Sequence, residues 1–211
     1  MLIYGALLSP FVRKVCIVGA EKGIAWELKP TSPGGTDPDF IAASPFRKIP
    51  AMRDGDFTLA DSSAICVYLD AKYPAPALLA ADPQARGKAV WFDEFTDTIL
   101  AASGLKVLFN RLVGPKILKV GGDEAVAAQG EAELPRLYGY LEGVSPANGW
   151  LAGAAFGLAD IAVASMLRTM VYVDLFPPPE RYPAITAWYA RVCERPAWQQ
   201  VAAQEDAARP H

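Results

Sequence analysis

The first thirty residues alternate between short apolar runs and one amphipathic segment. Residues 2–4 are Leu-Ile-Tyr, an apolar run typical of a strand. Ser9 and Pro10 are typical of a helix start, with serine as N-cap and proline in the first turn. Apolar residues recur at helical spacing until Gly23, and residues 26–29 alternate as in a half-buried strand. A helix between two strands predicts a parallel crossover connection.

A polar turn separates the next two apolar runs. The run around Pro50 and the run 57–59 flank residues 53–56, Arg-Asp-Gly-Asp, a pattern typical of a hairpin. Since proline has no N–H for a ladder, its strand is expected at an edge or a bulge. With helices over 39–43 and 62–72, the predicted order is β-α-β-α-β-β-α.

Beyond this point the pattern is helical. Prolines and alanines over 76–82 are typical of a linker, so we expect domains at 1–75 and 83–205. The fold class expected is an α/β thioredoxin-like N-terminal domain followed by an all-α C-terminal helical domain. Asp82 and Pro83 begin its first, long helix.

Several breaks are predicted within the helical half. Gly114-Pro115 and Gly121-Gly122 are expected to form a turn, and Pro135 is expected to kink or break a helix over 123–144. A buried helix over 161–173 and a helix over 182–194 complete the domain.

Charge and hydropathy exclude several kinds of partner. The chain has 20 basic and 23 acidic residues, well mixed, for a net charge of −3. Without a basic stripe, we expect no nucleic-acid or membrane partner. The longest apolar stretch, 161–173, contains Arg168 and is too short to span a bilayer. The first residues form a strand pattern instead of a signal peptide, so we expect a cytoplasmic protein.

Cysteine and histidine positions narrow the chemistry. The three cysteines, Cys16, Cys66 and Cys193, have no Cys-x-x-Cys or zinc spacing and fit a reducing cytoplasm. The single histidine, His211, is the last residue. We therefore expect neither a histidine dyad or triad nor a metal site.

A bare backbone edge and a helix start are predicted close together in residues 44–65. Ile49 precedes Pro50, and Asp61-Ser62 begins a helix whose first N–H groups and positive dipole end attract anions. With the Asp61 carboxylate, this combination could hold a short zwitterionic peptide. The alternative is a surface hairpin followed by a well-capped helix, and the residues alone favour that alternative.

Three motifs in this stretch resemble the glutathione-binding half of the glutathione S-transferase family. They are Ser-Pro-Phe-x-x-Ile-Pro-Ala at 44–51, the Asp-Gly hairpin at 54–55, and Asp-Ser-x-Ala-Ile at 61–65. Two later motifs resemble the family's helical half: Phe-Gly-Leu-Ala-Asp-Ile-Ala at 156–162 and Tyr-Pro-Ala-Ile-x-Ala-Trp at 182–188. Gly157 is a departure, because the family usually has Ser or Thr there. The resemblance covers nearly the whole chain and is to serine-type members, theta- or phi-like and bacterial.

The resemblance implies that Ser9 activates the thiol of glutathione. The structural alternative is a plain N-cap serine. Tyr4 is the competitor, because other classes use a tyrosine near the end of the first strand, but the serine-type arrangement makes it structural. Cys16 would indicate thiol exchange, yet it lies two turns into the helix and is more typical of a buried apolar residue.

The resemblance also implies a set of binding residues for the parts of glutathione. The Ile49 backbone at a cis Pro50 would pair with the cysteinyl unit. Asp61 would bind the γ-glutamyl ammonium and Ser62 its carboxylate, while Lys48 would meet the glycyl carboxylate. Phe11, with side chains of the long helix, is the candidate for an apolar pocket where the two domains face each other.

The function expected is therefore a homodimeric cytoplasmic glutathione transferase of detoxification type. It would use glutathione as co-substrate, without a metal, and add its thiolate to a small apolar electrophile. Glutathione-dependent isomerases and dehalogenases share this site. The alternative from another class is a non-catalytic glutathione- or ligand-binding or regulatory protein on the same fold.

Overall fold

A mixed four-stranded sheet organises the first part of the chain. In the computed structural model, which describes residues 1–208, the strand order is β2-β1-β3-β4. The strands are β1 Leu2–Gly5, β2 Glu27–Pro30, β3 Ala51–Asp54 and β4 Phe57–Ala60. β1 and β2 are parallel, while β3 is antiparallel to both β1 and β4. The predicted crossover and hairpin are confirmed; the prediction about His211 lies outside the described residues.

Three helices accompany the sheet. They are α1 Pro10–Glu21, α2 Pro38–Ala43 and α3 Ser62–Lys72. α1 and α2 each begin with proline in the first turn, whose missing N–H needs no partner there. Asp37 caps α2 by accepting from the Asp39 N–H at 2.9 Å.

After α3, the described chain is helical, as predicted. The helices are α4 Pro83–Glu94, α5 Ala101–Leu108, α6 Glu124–Val144, α7 Leu158–Val171, α8 Pro183–Cys193 and α9 Pro196–Ala208. Two π-helical stretches, Phe95–Leu100 and Phe109–Leu118, join α4 to α5 and extend α5. No helix within residues 1–208 is long and apolar enough to cross a membrane.

Three expectations about prolines differ from the structure. The strand that follows Pro50, β3, lies between β1 and β4 instead of at an edge, and Pro50 itself stands just before it. Gly114 and Pro115 lie inside the second π-helical stretch. The chain turns only in the later part of the predicted segment, where Lys119 and Gly121 have φ of 58° and 80°. A Cβ on residue 114 would lie 2.2 Å from the Gly121 carbonyl oxygen, so glycine permits this close approach. Pro135 does not break α6, which continues to Val144. Buried side chains on both sides of Pro135 outweigh the lost backbone hydrogen bond.

Contacts divide the chain into two compact units, and α9 belongs to the first. One unit comprises Met1–Leu79 together with residues 193–208, and the other comprises Ala80–Val192. Arg195, just before α9, helps to attach this helix to α1 by donating to both carboxylate oxygens of Glu21, each at 2.6 Å. This division differs from the expected one, which placed residues up to 205 in the helical domain, because ion pairs and packing on α1 hold α9 to the sheet unit.

A buried carboxylate organises the second unit at the start of α7. Asp160 accepts from the backbone N–H of Leu151 at 2.9 Å and of Gly157 at 3.1 Å. The indole N–H of Trp188 donates to it at 2.9 Å. Burial raises the pKa of Asp160 above its usual range, and these hydrogen bonds partly offset that effect. Glycine at 157 has no hydroxyl, so Asp160 supplies the side-chain half of this cap alone.

Replacing this carboxylate is expected to destabilise the protein strongly. Asp160→Ala leaves three buried donors without an acceptor, so the free energy of unfolding should fall by about 3–5 kcal/mol. Asp123→Ala is the matched control, because Asp123 also accepts two N–H groups but at the exposed start of α6. Its loss should be about 1 kcal/mol. Chemical denaturation measures both; equal losses would contradict the role given to Asp160.

Candidate functional site

Strand pairing brings three separate segments to one end of the sheet. Tyr4, near the end of β1, is paired with Ala51 at the start of β3. Ala51 is in turn paired with Ala60, the last residue of β4. The turn after β1, the Pro50 step before β3 and the start of α3 after β4 are therefore neighbours.

The turn after β1 presents Ser9 at the start of α1. The Ser9 N–H donates to the Ala6 carbonyl at 3.0 Å, and the Ser9 carbonyl accepts from the Arg13 N–H at 3.0 Å. Ser9 has the backbone geometry of an N-cap, with φ −70° and ψ 124°. Across the described residues its hydroxyl nevertheless makes no capping hydrogen bond to α1. The backbone of Ser9 is therefore fixed by hydrogen bonds, while its half-buried side chain makes no hydrogen bond to the start of α1.

Tyr4 lies in the core beneath this turn. Its ring is 1% exposed and packs against Phe40, with ring centroids 5.8 Å apart. Ala43 and Ala51 complete this buried cluster. Tyr4 therefore supports the sheet end through packing, in keeping with the structural role that the family resemblance implies.

Cys16 is buried in α1. Burial raises the pKa of its thiol strongly, and the neighbouring Cys66 raises it further. A thiol in this state is protonated at neutral pH and is a poor nucleophile. Cys16 is therefore a packing residue, as expected.

The segment before β3 carries the next predicted residues. The Ile49–Pro50 peptide bond is cis, as the resemblance implies. The Ser44 hydroxyl donates to the Lys48 carbonyl at 2.8 Å and accepts from the Lys48 N–H at 3.0 Å. Ser44 thus fixes the backbone of Lys48, whose side chain is exposed, while Ile49 is half-buried and Pro50 is buried.

The start of α3 supplies the carboxylate and hydroxyls. Asp61 is the N-cap, and its Oδ1 accepts from the Ala64 N–H at 3.0 Å. Its φ of 82° lies in a region that residues other than glycine rarely adopt and that recurs at functional sites. Ser62 is buried behind it, and the Ser63 hydroxyl accepts from the Nζ of Lys14 at 3.1 Å.

The predicted residues thus lie on neighbouring segments. Ser9, Ile49, Pro50, Asp61 and Ser62 come from the three neighbouring segments. Phe11 lies two residues after Ser9 in the first turn of α1 and is half-buried. In residues 1–208, no group of three or more His, Cys, Asp or Glu side chains is placed to hold a metal ion.

The sequence pattern did not predict the buried charged side chains of α1 and α9. Arg13 and Lys14 are each 1% exposed, and Glu205 of α9 is 2% exposed. The available signal was two consecutive basic residues within an otherwise apolar helix segment. The partner of Arg13, Glu205 on α9, could not be inferred, because it lies at the opposite end of the chain.

Both parts of the chain match known family models. Residues 3–77 match the model described as the glutathione S-transferase N-terminal domain. Residues 100–196 match the model described as the glutathione S-transferase C-terminal domain.

Relatives of known name are similar over nearly the full length. Glutathione S-transferase 3 of Zea mays is 33% identical over 211 residues, covering 95% of this chain and 92% of the relative. A glutathione S-transferase structure from Rhodospirillum rubrum F11 has a TM-score of 0.85 at 28% identity, covering 95% of this chain and 90% of that one. The theta-class enzyme of Xanthomonas axonopodis pv. citri, solved with glutathione bound, has a TM-score of 0.80 at 25% identity, covering 94% and 95%.

The positive φ of Asp61 should affect how substitutions at this position change the free energy of unfolding. Asp61→Ala is expected to lower the free energy of unfolding by about 1–2 kcal/mol, because it loses the cap at a positive φ. Asp61→Gly should cost less than about 0.5 kcal/mol, since glycine tolerates both that φ and the N-cap position.

Asp82 is the matched control for this comparison. It caps α4 through Ala85 at 2.8 Å but with an ordinary φ of −61°. The difference between the alanine and glycine variants should therefore be larger at position 61 than at position 82 by urea denaturation. Equal differences would show that the backbone of Asp61 is unstrained.

Proposed function

Because the chain belongs to the glutathione S-transferase family, we propose that Ser9 activates the thiol of glutathione for transfer to an apolar electrophile. The observation that carries the proposal is the hydroxyl of Ser9. It is positioned at an N-cap, yet within the described chain it does not cap the helix. An N-cap hydroxyl ordinarily contributes about 1 kcal/mol to stability through that bond. Here the hydroxyl remains available to a ligand.

A single hydroxyl is sufficient for this task. Glutathione reacts as its thiolate, whereas a free cysteine thiol has a pKa of about 8.5. Lowering that value by about two units requires about 2.7 kcal/mol of preferential stabilisation of the anion. A hydrogen bond to a charged group contributes about 1.5–3 kcal/mol, and the N-terminus of α1 contributes about 0.3–1 kcal/mol more. The mechanism therefore requires no general base.

The same sheet end provides groups for the rest of the tripeptide. We assign the Ile49 backbone, before cis Pro50, to the cysteinyl unit. Asp61 is assigned to the γ-glutamyl ammonium, and Ser62 with the first N–H groups of α3 to the γ-glutamyl carboxylate. Exposed Lys48 is assigned to the glycyl carboxylate, and Phe11 to the electrophile.

The orientation of Asp61 supports its assignment. One carboxylate oxygen caps α3, which fixes the side chain at the helix start. An ammonium bound there would meet a carboxylate that the helix already orients. The group would then gain a charge-assisted hydrogen bond at a small cost in side-chain entropy.

Removing the Ser9 hydroxyl should raise the pKa of bound glutathione. In Ser9→Ala the thiol pKa should rise by one unit or more, so that activity below this pKa falls by about tenfold or more. Ultraviolet titration of the bound thiolate measures the change directly. The free energy of unfolding should change by less than about 0.5 kcal/mol, because no cap is lost.

Ser9→Thr is the control for this variant, since threonine retains a hydroxyl on the same carbon. Its thiol pKa should lie nearer to that of the unaltered protein than to that of Ser9→Ala. An unchanged thiolate titration in Ser9→Ala would remove Ser9 from its proposed role.

Asp61 should be required for affinity. In calorimetric titration with glutathione, Asp61→Gly should weaken binding by about tenfold, equivalent to about 1.4 kcal/mol for one charged hydrogen bond. Asp82→Ala, which loses the comparable cap of α4, should bind as tightly as the unaltered protein. Equal affinity in Asp61→Gly would discredit the assignment. If the unaltered protein gave no heat of binding, a non-catalytic protein on this fold would replace the transferase.

A further inference from the structure

A buried ion pair joins the two ends of the chain beneath the Ser9 turn. Arg13 in the first part of α1 and Glu205 in α9 have side chains only 1% and 2% exposed. The Nε of Arg13 donates to Oε2 of Glu205 at 2.8 Å, and its Nη2 donates to Oε1. Because this contact uses two parallel hydrogen bonds, it fixes the plane of the guanidinium as well as its position.

Arg13 also contacts the turn directly, once through its side chain and once through its backbone. Its Nη2 donates to the Leu8 carbonyl at 3.5 Å, and its backbone N–H donates to the Ser9 carbonyl at 3.0 Å. The Ser9 N–H is bonded to Ala6 on the other side. The peptide groups on both sides of the Ser9 side chain are therefore restrained. The bond to the Ser9 carbonyl is the first backbone hydrogen bond of α1, so the Arg13 side chain itself adds the contact with the Leu8 carbonyl.

Stability alone does not explain a charged pair in this place. Burying two charges removes them from water, and well-packed apolar residues of similar volume are often equally or more stabilising. A bidentate ion pair requires one relative orientation of its two side chains, whereas apolar packing tolerates several. Since the carboxylate of Glu205 neutralises the charge of Arg13, we expect Arg13 to affect Ser9 by ordering the backbone of the turn and not by its electric field.

We propose that Arg13 and Glu205 are positioning residues for Ser9. Glu205 fixes the guanidinium of Arg13, Arg13 orders the turn from Ala6 to Ser9, and the turn aims the hydroxyl at the sulfur of glutathione. The inference rests on the proposed function of Ser9. It makes α9, the last helix described, a requirement for thiol activation.

The variant Arg13→Lys tests the contact with the turn separately from the ion pair with Glu205. Lysine retains a positive charge for Glu205 but cannot also reproduce the forked contact that reaches Leu8. The pKa of the bound glutathione thiol should rise by about half a unit to one unit, which lowers the thiolate fraction about three- to tenfold below that pKa. kcat should fall by the same factor, while KM for glutathione stays within about twofold, because the binding groups are untouched. Amide hydrogen exchange of Ser9 should become faster in the ligand-free variant.

Two further variants keep the test decisive. Arg13→Met with Glu205→Leu removes both buried charges at similar volume, so it should fold and show the same rise in thiol pKa. Glu21→Gln is the matched control, because Glu21 and Arg195 form the other bidentate pair between α1 and the start of α9. This second pair lies at the C-terminal end of α1, so its loss should leave the thiol pKa and the Ser9 exchange unchanged.

The outcomes separate this inference from the proposed function. If the unaltered protein titrates a bound thiolate and both Arg13 variants show the same thiol pKa as the unaltered protein, the positioning role alone is overturned. An equal pKa rise in Glu21→Gln also overturns it, because general loosening of α9 would then be the cause. Absence of a bound thiolate in the unaltered protein overturns the proposed function, and the catalytic part of the inference with it.

Discussion

The antiparallel pairing of β1 with β3 is the constraint on which the candidate site depends. It places Tyr4 opposite Ala51, and the hairpin then places Ala51 opposite Ala60. A shift of one residue would turn each side chain to the other face of the sheet. The buried cluster of Tyr4, Phe40, Ala43 and Ala51 opposes such a shift, because it would expose that apolar surface. Packing under the sheet end therefore determines which segments meet above it.

Helix α1 is held by charges that are buried with partners. Arg13 is paired with Glu205, and Lys14 donates to Ser63. At the other end, Lys22 contacts Asp70 at 2.8 Å and donates to the carbonyls of Tyr73 and Pro76 at 2.6 and 2.8 Å. Buried charges are stable only with such partners, so each contact is directional. α1 thereby has a defined position relative to α3 and α9.

The helix starts of this chain differ in how they use their caps. Four aspartates accept backbone N–H groups at the starts of α2, α3, α4 and α6: Asp37, Asp61, Asp82 and Asp123. Ser9 has the same position at α1, but within residues 1–208 its hydroxyl does not cap the helix. Capping is a local source of stability that the chain uses elsewhere. Its absence at the N-cap of α1, on a segment next to the positive-φ Asp61, supports the ligand role proposed for that hydroxyl.

The sequence by itself determined the strands, most helices and the residue types of the candidate site, because period, caps and turn residues act over a few neighbours. It extended the turn at Gly121 back to Gly114 and allowed a break at Pro135, where close backbone approach and packing outweigh local preference. Only the tertiary structure decided that the Ser9 hydroxyl is not a cap and that α9 packs on α1. The physical reason is distance along the chain: Arg13 and Glu205 are 192 residues apart, and no local pattern encodes their contact.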